Sequence, residues 1–331
     1  MAVFFKVVIL ATALWSTMAC SDPNYADHPS AALLVEEMVS EHDFKREDLL
    51  AIFAAAQRKD SILKAIARPA ERTKAWYEYR AIFLNEKREV QGVEFYNTHR
   101  ETLMRAEREL GVPAHVIVSI IGVETYYGRN AGSYRVIDAL STLAFDYPKR
   151  STFFTKELKN FLLLTRDQGL DPLAFKGSYA GAMGYGQFMP SSYRSYAIDF
   201  DGDGLIDIWN NPVDAIGSVA NYFKRHGWRT GETVVLPAQA TADVSDDWFV
   251  RTRADLKPKK NVAEFSLAGI TTEQERKGSE LATAMKFELE DGYEYWLGLH
   301  NFYVITRYNH SAMYAMSVHQ LSEKLASQFP Q

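Results

Sequence analysis

The 331-residue chain is predicted to fold as a mainly helical α+β protein, a large helical body with an appended helical lobe and a small antiparallel β lobe. Three observations predict this. From Ser30 to about Leu110 apolar residues recur three to four apart, as in Leu33, Leu34 and Met38 and again in Leu49, Leu50 and Phe53, the period of an amphipathic helix. Between Pro113 and Gly128 the run Val116, Ile117, Val118, Ile120, Ile121 and Val123 leaves no polar face, so that helix must be buried all round. Between Val234 and Glu290 the texture changes to short runs, Val234-Val235-Leu236, Phe265-Ser266-Leu267 and Lys286-Phe287-Glu288-Leu289, with a turn signal at Asp291-Gly292. The 47% apolar content supports a real interior, and the length suits one large core with smaller lobes.

The N-terminus carries Lys6, the apolar run Val7 to Trp15, then Ser16-Thr17-Met18-Ala19-Cys20. This reads as a signal peptide, too short for a stable membrane span. Cys20 is the single cysteine, so an internal disulfide is excluded. Its place after small residues points to lipid attachment at its sulfur, although Thr17 stands where a lipobox usually has Leu. Ser21 is not the Asp that retains such proteins at the inner membrane, which favours a periplasmic protein anchored to the outer membrane. The formal charge of −5 becomes −6 once Lys6 leaves with the leader. A balance so near neutral speaks against a nucleic-acid binder and leaves a neutral polymer such as a polysaccharide open.

Residues 21–30, with Pro23, Asn24 and Pro29, are expected to form a tether. In the helical lobe Asp43 is placed to cap the second helix. Trp76, Tyr77, Tyr79 and Phe83 form an aromatic cluster that suits a core or the wall of a sugar groove. Pro113 fits the first turn of the buried helix and Gly128 its end. Helices are predicted around Phe153 to Arg166, Pro190 to Tyr196 and Pro212 to Arg225, and the chain returns to helix from Ala312 to Phe329.

Three features carry chemistry. Glu124 lies near the end of the buried apolar helix, where a carboxyl keeps its proton longer than in water unless a cation meets it. Such an acid can protonate a glycosidic oxygen; the competing reading pairs it with Arg129 to tie the helix down. The second is Gly177 to Tyr193, glycines interleaved with aromatics, which is neither a regular helix nor a good strand. Close backbone approach to a ligand explains the glycines, and Ser178, Gln187 and the aromatic faces are groups that sugars use. No Lys-Ser/Thr follows, which speaks against a phosphate loop. The third is Asp199-Phe200-Asp201-Gly202-Asp203-Gly204-Leu205-Ile206-Asp207, the opening of an EF-hand-like loop, with acidic residues at positions one, three and five, the turn glycine at six and a carbonyl at seven. Its twelfth position is Asn210, so the bidentate ligand must come from beyond, with Asp214 nearest.

Together, Val123-Glu124-Thr125-Tyr126-Tyr127-Gly128, the Gly181 to Tyr193 run, the acidic loop and Ile305-Thr306-Arg307-Tyr308-Asn309 resemble the membrane-bound lytic murein transglycosylase B family, glycoside hydrolase family 103. The resemblance runs from about Ala32 to the end. It implies a goose-type-lysozyme-like core at 31–233, containing the helical lobe and a calcium loop at 199–214, a β lobe at 234–300 and a C-terminal segment at 301–331 returning to the core. It implies cleavage of the β-1,4 bond between N-acetylmuramic acid and N-acetylglucosamine in peptidoglycan, with Glu124 as acid and then base and 1,6-anhydro ends formed without water. By the same resemblance Ser178 and Asn309 position the muramoyl group, while Tyr185, Gln187, Tyr222, Tyr308, Tyr79 and Arg150 line the sugar subsites. Asp199, Asp201, Asp203, the Leu205 carbonyl and Asp214 hold calcium, and no organic cofactor is implied. Two other readings remain: a hydrolytic muramidase using Asp138 or Asp146 as a second carboxylate, and a non-catalytic peptidoglycan-binding lipoprotein.

Overall fold

The computed structural model describes residues 24–67, 74–274 and 277–329; the segment read as a signal peptide, Cys20 and residues 21–23 lie outside them. The described part of the expected tether is not one, since Tyr25 is fully buried with its N–H on the Phe53 carbonyl at 3.0 Å and α1 already begins at Pro29. The helical lobe comprises α1 (Pro29–His42), α2 (Arg46–Ala55), α3 (Asp60–Ile66), α4 (Trp76–Phe83), α5 (Glu86–Thr98) and α6 (Arg100–Leu110). Asp43 does not cap α2. It sits in the left-handed region at φ 56° and ends α1, its N–H bonded to the Met38 carbonyl, while Lys45 precedes α2 without a side-chain cap. A short polar side chain tolerates that conformation well.

The apolar segment forms α7 (Ala114–Thr125), packed against α5, α6, α11 (Pro212–Arg225) and α14 (Ala312–Ala326). Ile117, Val118, Ile120 and Ile121 are fully buried, so no polar face was needed. Pro113 takes the N-cap position rather than the first turn, and the helix stops at Tyr126, φ 55°, two residues before Gly128. The polar Ser119 on this helix is satisfied by donating to the Val318 carbonyl of α14 at 2.6 Å. α11 shows why its ends were legible: Asn211 accepts from the Val213 N–H at 3.0 Å, Pro212 opens the first turn, and Lys224 and Arg225 face the negative end of the helix dipole.

Two-stranded pairing of β1 (Tyr134–Arg135) with β2 (Lys176–Gly177) flanks α8 (Val136–Asp146) and α9 (Ser151–Asp167), and α10 (Pro190–Tyr196) follows the glycine-rich run. The β lobe is a five-stranded antiparallel sheet. It holds β3 (Val235–Ala240), β4 (Lys260–Asn261), β5 (Ile270–Thr271), β6 (Leu281–Glu288) and β7 (Tyr293–Gly298) in the order β4-β6-β7-β3-β5. Gly292, at φ 83°, turns β6 into β7. The run Phe265-Ser266-Leu267 is not a strand. It ends α12 (Val262–Leu267), set by a capping box in which Asn261 Oδ1 accepts from the Glu264 N–H at 2.9 Å and Glu264 answers at 2.8 Å. Three residues alternate too briefly to outvote that local pairing.

The lobe docks on the body through α4, where the Trp76 indole donates to Glu294 at 2.6 Å and packs tilted against Phe287 with ring centres 4.8 Å apart, and through α13 (His300–Tyr308), which follows β7. Asn301 of α13 clamps the approach to the sheet, bonding Arg229 N–H, Arg229 C=O and Glu232 C=O at 2.8–3.0 Å. Trp76 and Tyr79 are buried and Tyr77 half-buried, so the aromatic cluster of α4 is core. Among the described residues no helix is long and apolar enough to cross a membrane.

Because α7 is enclosed on every side, Ile120→Ala is expected to cost about 2–5 kcal/mol in chemical denaturation. Leu33→Ala, at a side chain 73% exposed, should stay within about 0.5 kcal/mol of wild type.

Candidate active site

Glu124 is the second-last residue of α7 and is half-buried. The chain leaves the helix through two consecutive left-handed residues, Tyr126 and Tyr127, at φ 55° and 60°. Each costs roughly 1–2 kcal/mol, and the surroundings hold both in place. Tyr127 donates to the Arg88 carbonyl at 2.8 Å, and its ring fills the space over Gly122, where an added Cβ would lie 2.7 Å from it. The Arg88 guanidinium bonds the Gly122 carbonyl and lies 4.7 Å from the Tyr126 ring centre, placing a cation at the helix C-terminus. Thr125 donates to the Tyr185 carbonyl at 2.8 Å and accepts from the Gly128 N–H at 3.0 Å. The glycine-rich run is thereby fastened to the residue beside Glu124.

The Glu124 carboxylate accepts the phenol hydrogen of Tyr314, on α14, at 2.5 Å. Tyr308, at the end of α13, donates to the Gly186 carbonyl at 2.6 Å. Burial, and then the negative charge of Glu124, push both phenols well above the usual tyrosine range; they stay neutral donors at physiological pH. Tyr79 also contributes to the electrostatic surroundings of Tyr314. The competing partner Arg129 is engaged elsewhere, bonding Gln91 and pairing with Glu94 at 3.8 Å.

The structure brings most of the sequence-derived residues to this place. Tyr222 packs on Tyr308 with ring centres 4.7 Å apart and donates to the Arg307 carbonyl at 2.6 Å. Gly186 must lack a side chain, since a Cβ there would sit 2.7 Å from the Tyr308 hydroxyl. Ser178 accepts from the N–H groups of Ala180 and Ala182 at 3.3 and 3.1 Å, so it shapes the turn it stands in. Gln187, at φ 50°, spends its amide nitrogen on the Ala131 and Gly184 carbonyls at 3.2 and 3.0 Å. That leaves its oxygen as the group suited to a ligand. Asn309 follows Tyr308 directly in extended backbone. Arg150 stands apart, exposed at the α8–α9 junction with its guanidinium over Phe153 and Phe154 at 4.4 and 5.0 Å.

Sequence reasoning missed Tyr314, Thr125 and Arg88. Tyr314 lies in a stretch that reads as plain amphipathic helix, and nothing in its sequence surroundings marks it out.

In the acidic loop Asp199, Asp201 and Asp203 can each bring one oxygen within 4.8 Å of the others. Asp199 accepts from the Gly204 and Gly202 N–H groups at 2.8 and 2.6 Å, with the Gly204 bond first in holding its carboxyl below the usual range. Asp214 is buried. It accepts from Phe200 and Asp207 N–H at 2.7 and 2.8 Å, while burial, and then Asp201 and Asp199, push its carboxyl upward. The three clustered carboxylates form an all-oxygen donor set that fits a hard divalent cation, whereas Asp214 is not part of that cluster and turns both of its oxygens to backbone N–H groups of the loop. Leu205 is exposed at position seven, its N–H bonded to Asp203 at 2.8 Å.

Residues 26–323 match the family described as Transglycosylase SLT domain. The chain is 45% identical over 312 residues to the membrane-bound lytic murein transglycosylase B of Escherichia coli K12, covering 92% of this chain and 84% of that protein. Among solved structures, catenated lytic transglycosylase SltB1 from Pseudomonas aeruginosa superposes with a TM-score of 0.88 at 55% identity, covering 92% of this chain and 99% of that one. The Escherichia coli lytic transglycosylase SLT35 in complex with calcium superposes at 0.85 and 45% identity, covering 94% and 96%. Fold and similarity together define an enzyme of the lytic transglycosylase class, lysozyme-like and mostly helical, as the four motifs implied. The chain belongs to the Transglycosylase SLT domain family.

Removing the Tyr314 hydroxyl while keeping the ring deletes one hydrogen bond to a charged group, about 1.5–3 kcal/mol. Tyr314→Phe should therefore lower kcat by about ten- to a hundredfold, with the fold intact by circular dichroism.

Proposed function

We propose that this chain cuts the β-1,4 bond between N-acetylmuramic acid and N-acetylglucosamine in peptidoglycan with Glu124 as its single acid and base. The observation that carries this is the Tyr314 hydrogen bond to the half-buried Glu124 carboxyl, at the end of an enclosed helix and beside a glycine-rich loop. In its protonated form Glu124 gives its proton to the leaving glycosidic oxygen. As carboxylate it then takes the proton from the C6 hydroxyl of the same muramoyl unit, whose oxygen attacks C1 and closes the 1,6-anhydro ring. No water enters, so no second carboxyl is required, unlike the paired acids of hydrolytic glycosidases.

The two carboxyls offered for the hydrolytic alternative are both engaged in structural bonds. Asp138 is buried and held by Arg135 at 2.8 Å and the Gln57 N–H at 2.8 Å. Asp146 accepts from the Tyr25 hydroxyl at 2.6 Å. Both carboxyls anchor α8 to the N-terminal lobe. In the proposed reaction Ser178 and Asn309 steady the muramoyl unit, Tyr308 and Tyr222 wall its subsite, and Tyr185 and Gln187 extend the cleft, while Tyr79, buried in α4, backs the wall behind Tyr314. Arg150 belongs to an outer subsite. Calcium is held by Asp199, Asp201, Asp203, the Leu205 carbonyl and Asp214, where it ties the loop to the start of α11; its part is structural. Cys20 is the site of a lipid anchor that keeps the enzyme at the periplasmic face of the outer membrane, within reach of the wall.

Digestion of purified sacculi with fragment mass spectrometry tests the catalytic assignment. Wild type should release 1,6-anhydro-muramoyl ends, and Glu124→Gln should release them at least about a thousandfold more slowly. Reducing-end muramic acid as the wild-type product, or full activity in the variant, refutes it. For the loop, calcium at a hundred times its Kd should stabilise wild type by about 2.7 kcal/mol, seen as a rise in Tm that vanishes in Asp199→Ala.

A further inference from the structure

A cavity of about 430 Å³ opens between the β lobe and α13, walled in part by Arg253, Lys257, Lys259, Tyr303, Arg307 and His310, with no carboxylate in its lining. A second hollow of about 340 Å³ adjoins it through Lys257 and Tyr303; it is of mixed charge, with Glu232 and Glu280 in its lining beside Arg229 and His300, so the cationic character belongs to the first hollow. Arg229 is paired with Glu232 at 3.3 Å. By contrast, among the described residues Arg253, Lys257, Lys259 and Arg307 take part in no ion pair. Four cations around one hollow repel one another, and an anion placed there relieves the repulsion. His310 reports the same field: burial, and then Arg253 and Arg307, pull it down to about 4. It therefore stays neutral, and its Nε2 accepts from the Arg307 guanidinium at 3.0 Å, fixing that cation in the wall.

The hollow shares an element with the cleft. α13 sends Arg307 into the cationic wall, and the next residue, Tyr308, reaches the Gly186 carbonyl beside Glu124. An anion attached a few bonds from the bond being cut would thus meet the cations across one helix end. On a peptidoglycan strand the sugar backbone is neutral. Beyond the lactyl ether the anions belong to the peptide stem, whose glutamyl residue and terminus carry free carboxylates. Resting on the peptidoglycan reading above, we propose that the hollow formed by Arg253, Lys257, Lys259 and Arg307 is a subsite for the stem-peptide carboxylates of the muramoyl unit.

The test compares intact, stem-bearing glycan strands with strands whose stems an amidase has removed, using wild type and the triple variant Arg253→Gln, Lys257→Gln, Lys259→Gln. All three side chains are exposed, so the fold should persist. The variant should lose about five- to tenfold in kcat/KM on stem-bearing strands and nothing on stripped ones, and the wild-type preference should shrink as salt rises. Equal kcat/KM for wild type and variant on both substrates, or a parallel fall on both, overturns the proposal. So does a loss confined to binding vesicles of anionic phospholipid, which would make the hollow a membrane contact. Calorimetric binding of a stem-bearing muramoyl disaccharide to the Glu124→Gln protein, with and without the three substitutions, separates this inference from the catalytic assignment. If Glu124 proves dispensable, a binding loss in the triple variant still supports the subsite.

Discussion

One hydrogen bond organises the molecule: the phenol of Tyr314 on the carboxylate of Glu124, joining the ends of two helices that pack along their length. α7 can carry a carboxyl to that point because its body is enclosed by α5, α6, α11 and α14. α14 can offer a neutral donor because burial keeps its tyrosine protonated. Left-handed Tyr126 and Tyr127 turn the chain away at once, so the carboxyl is not followed by a further helical turn that would cover it. The strain there is held by Arg88 and Gly122, two residues with no part in the chemistry.

The β lobe is tied to this arrangement at both ends. Trp76 of α4 grips Glu294 on β7, and Tyr79 on the same helix lies near Tyr314. α13 runs from the end of the sheet to Tyr308 in the cleft. A displacement of the sheet would be felt at the carboxyl through two helices, which gives the lobe a mechanical connection to the cleft whatever it binds.

Much of the fold was legible because its signals were local. The all-apolar run fixed α7, Pro212 marked the start of α11, and Asp291-Gly292 fixed the β6–β7 turn. The errors were local contests that another signal won. The Asn261–Glu264 capping box made a helix of Phe265, and Asp43 ended one helix instead of opening the next. At the site, Glu124, the glycine-rich run and Tyr308 stood out because their residue types are unusual for their surroundings. Tyr314 was invisible: a tyrosine in an amphipathic helix has the same sequence signature whether it fills space or meets a carboxylate 190 residues away. Likewise Gln187 was chosen for its amide, yet half of that amide serves the loop itself, a demand that only the backbone conformation reveals.

The central claim is that one carboxyl, so held, performs both proton transfers while the muramoyl C6 hydroxyl, and not water, attacks C1. Digestion of sacculi by the wild-type enzyme in water enriched in oxygen-18 measures this directly. The account predicts muramoyl ends that carry no label; oxygen-18 at their C1 would show that water attacks there and would contradict it.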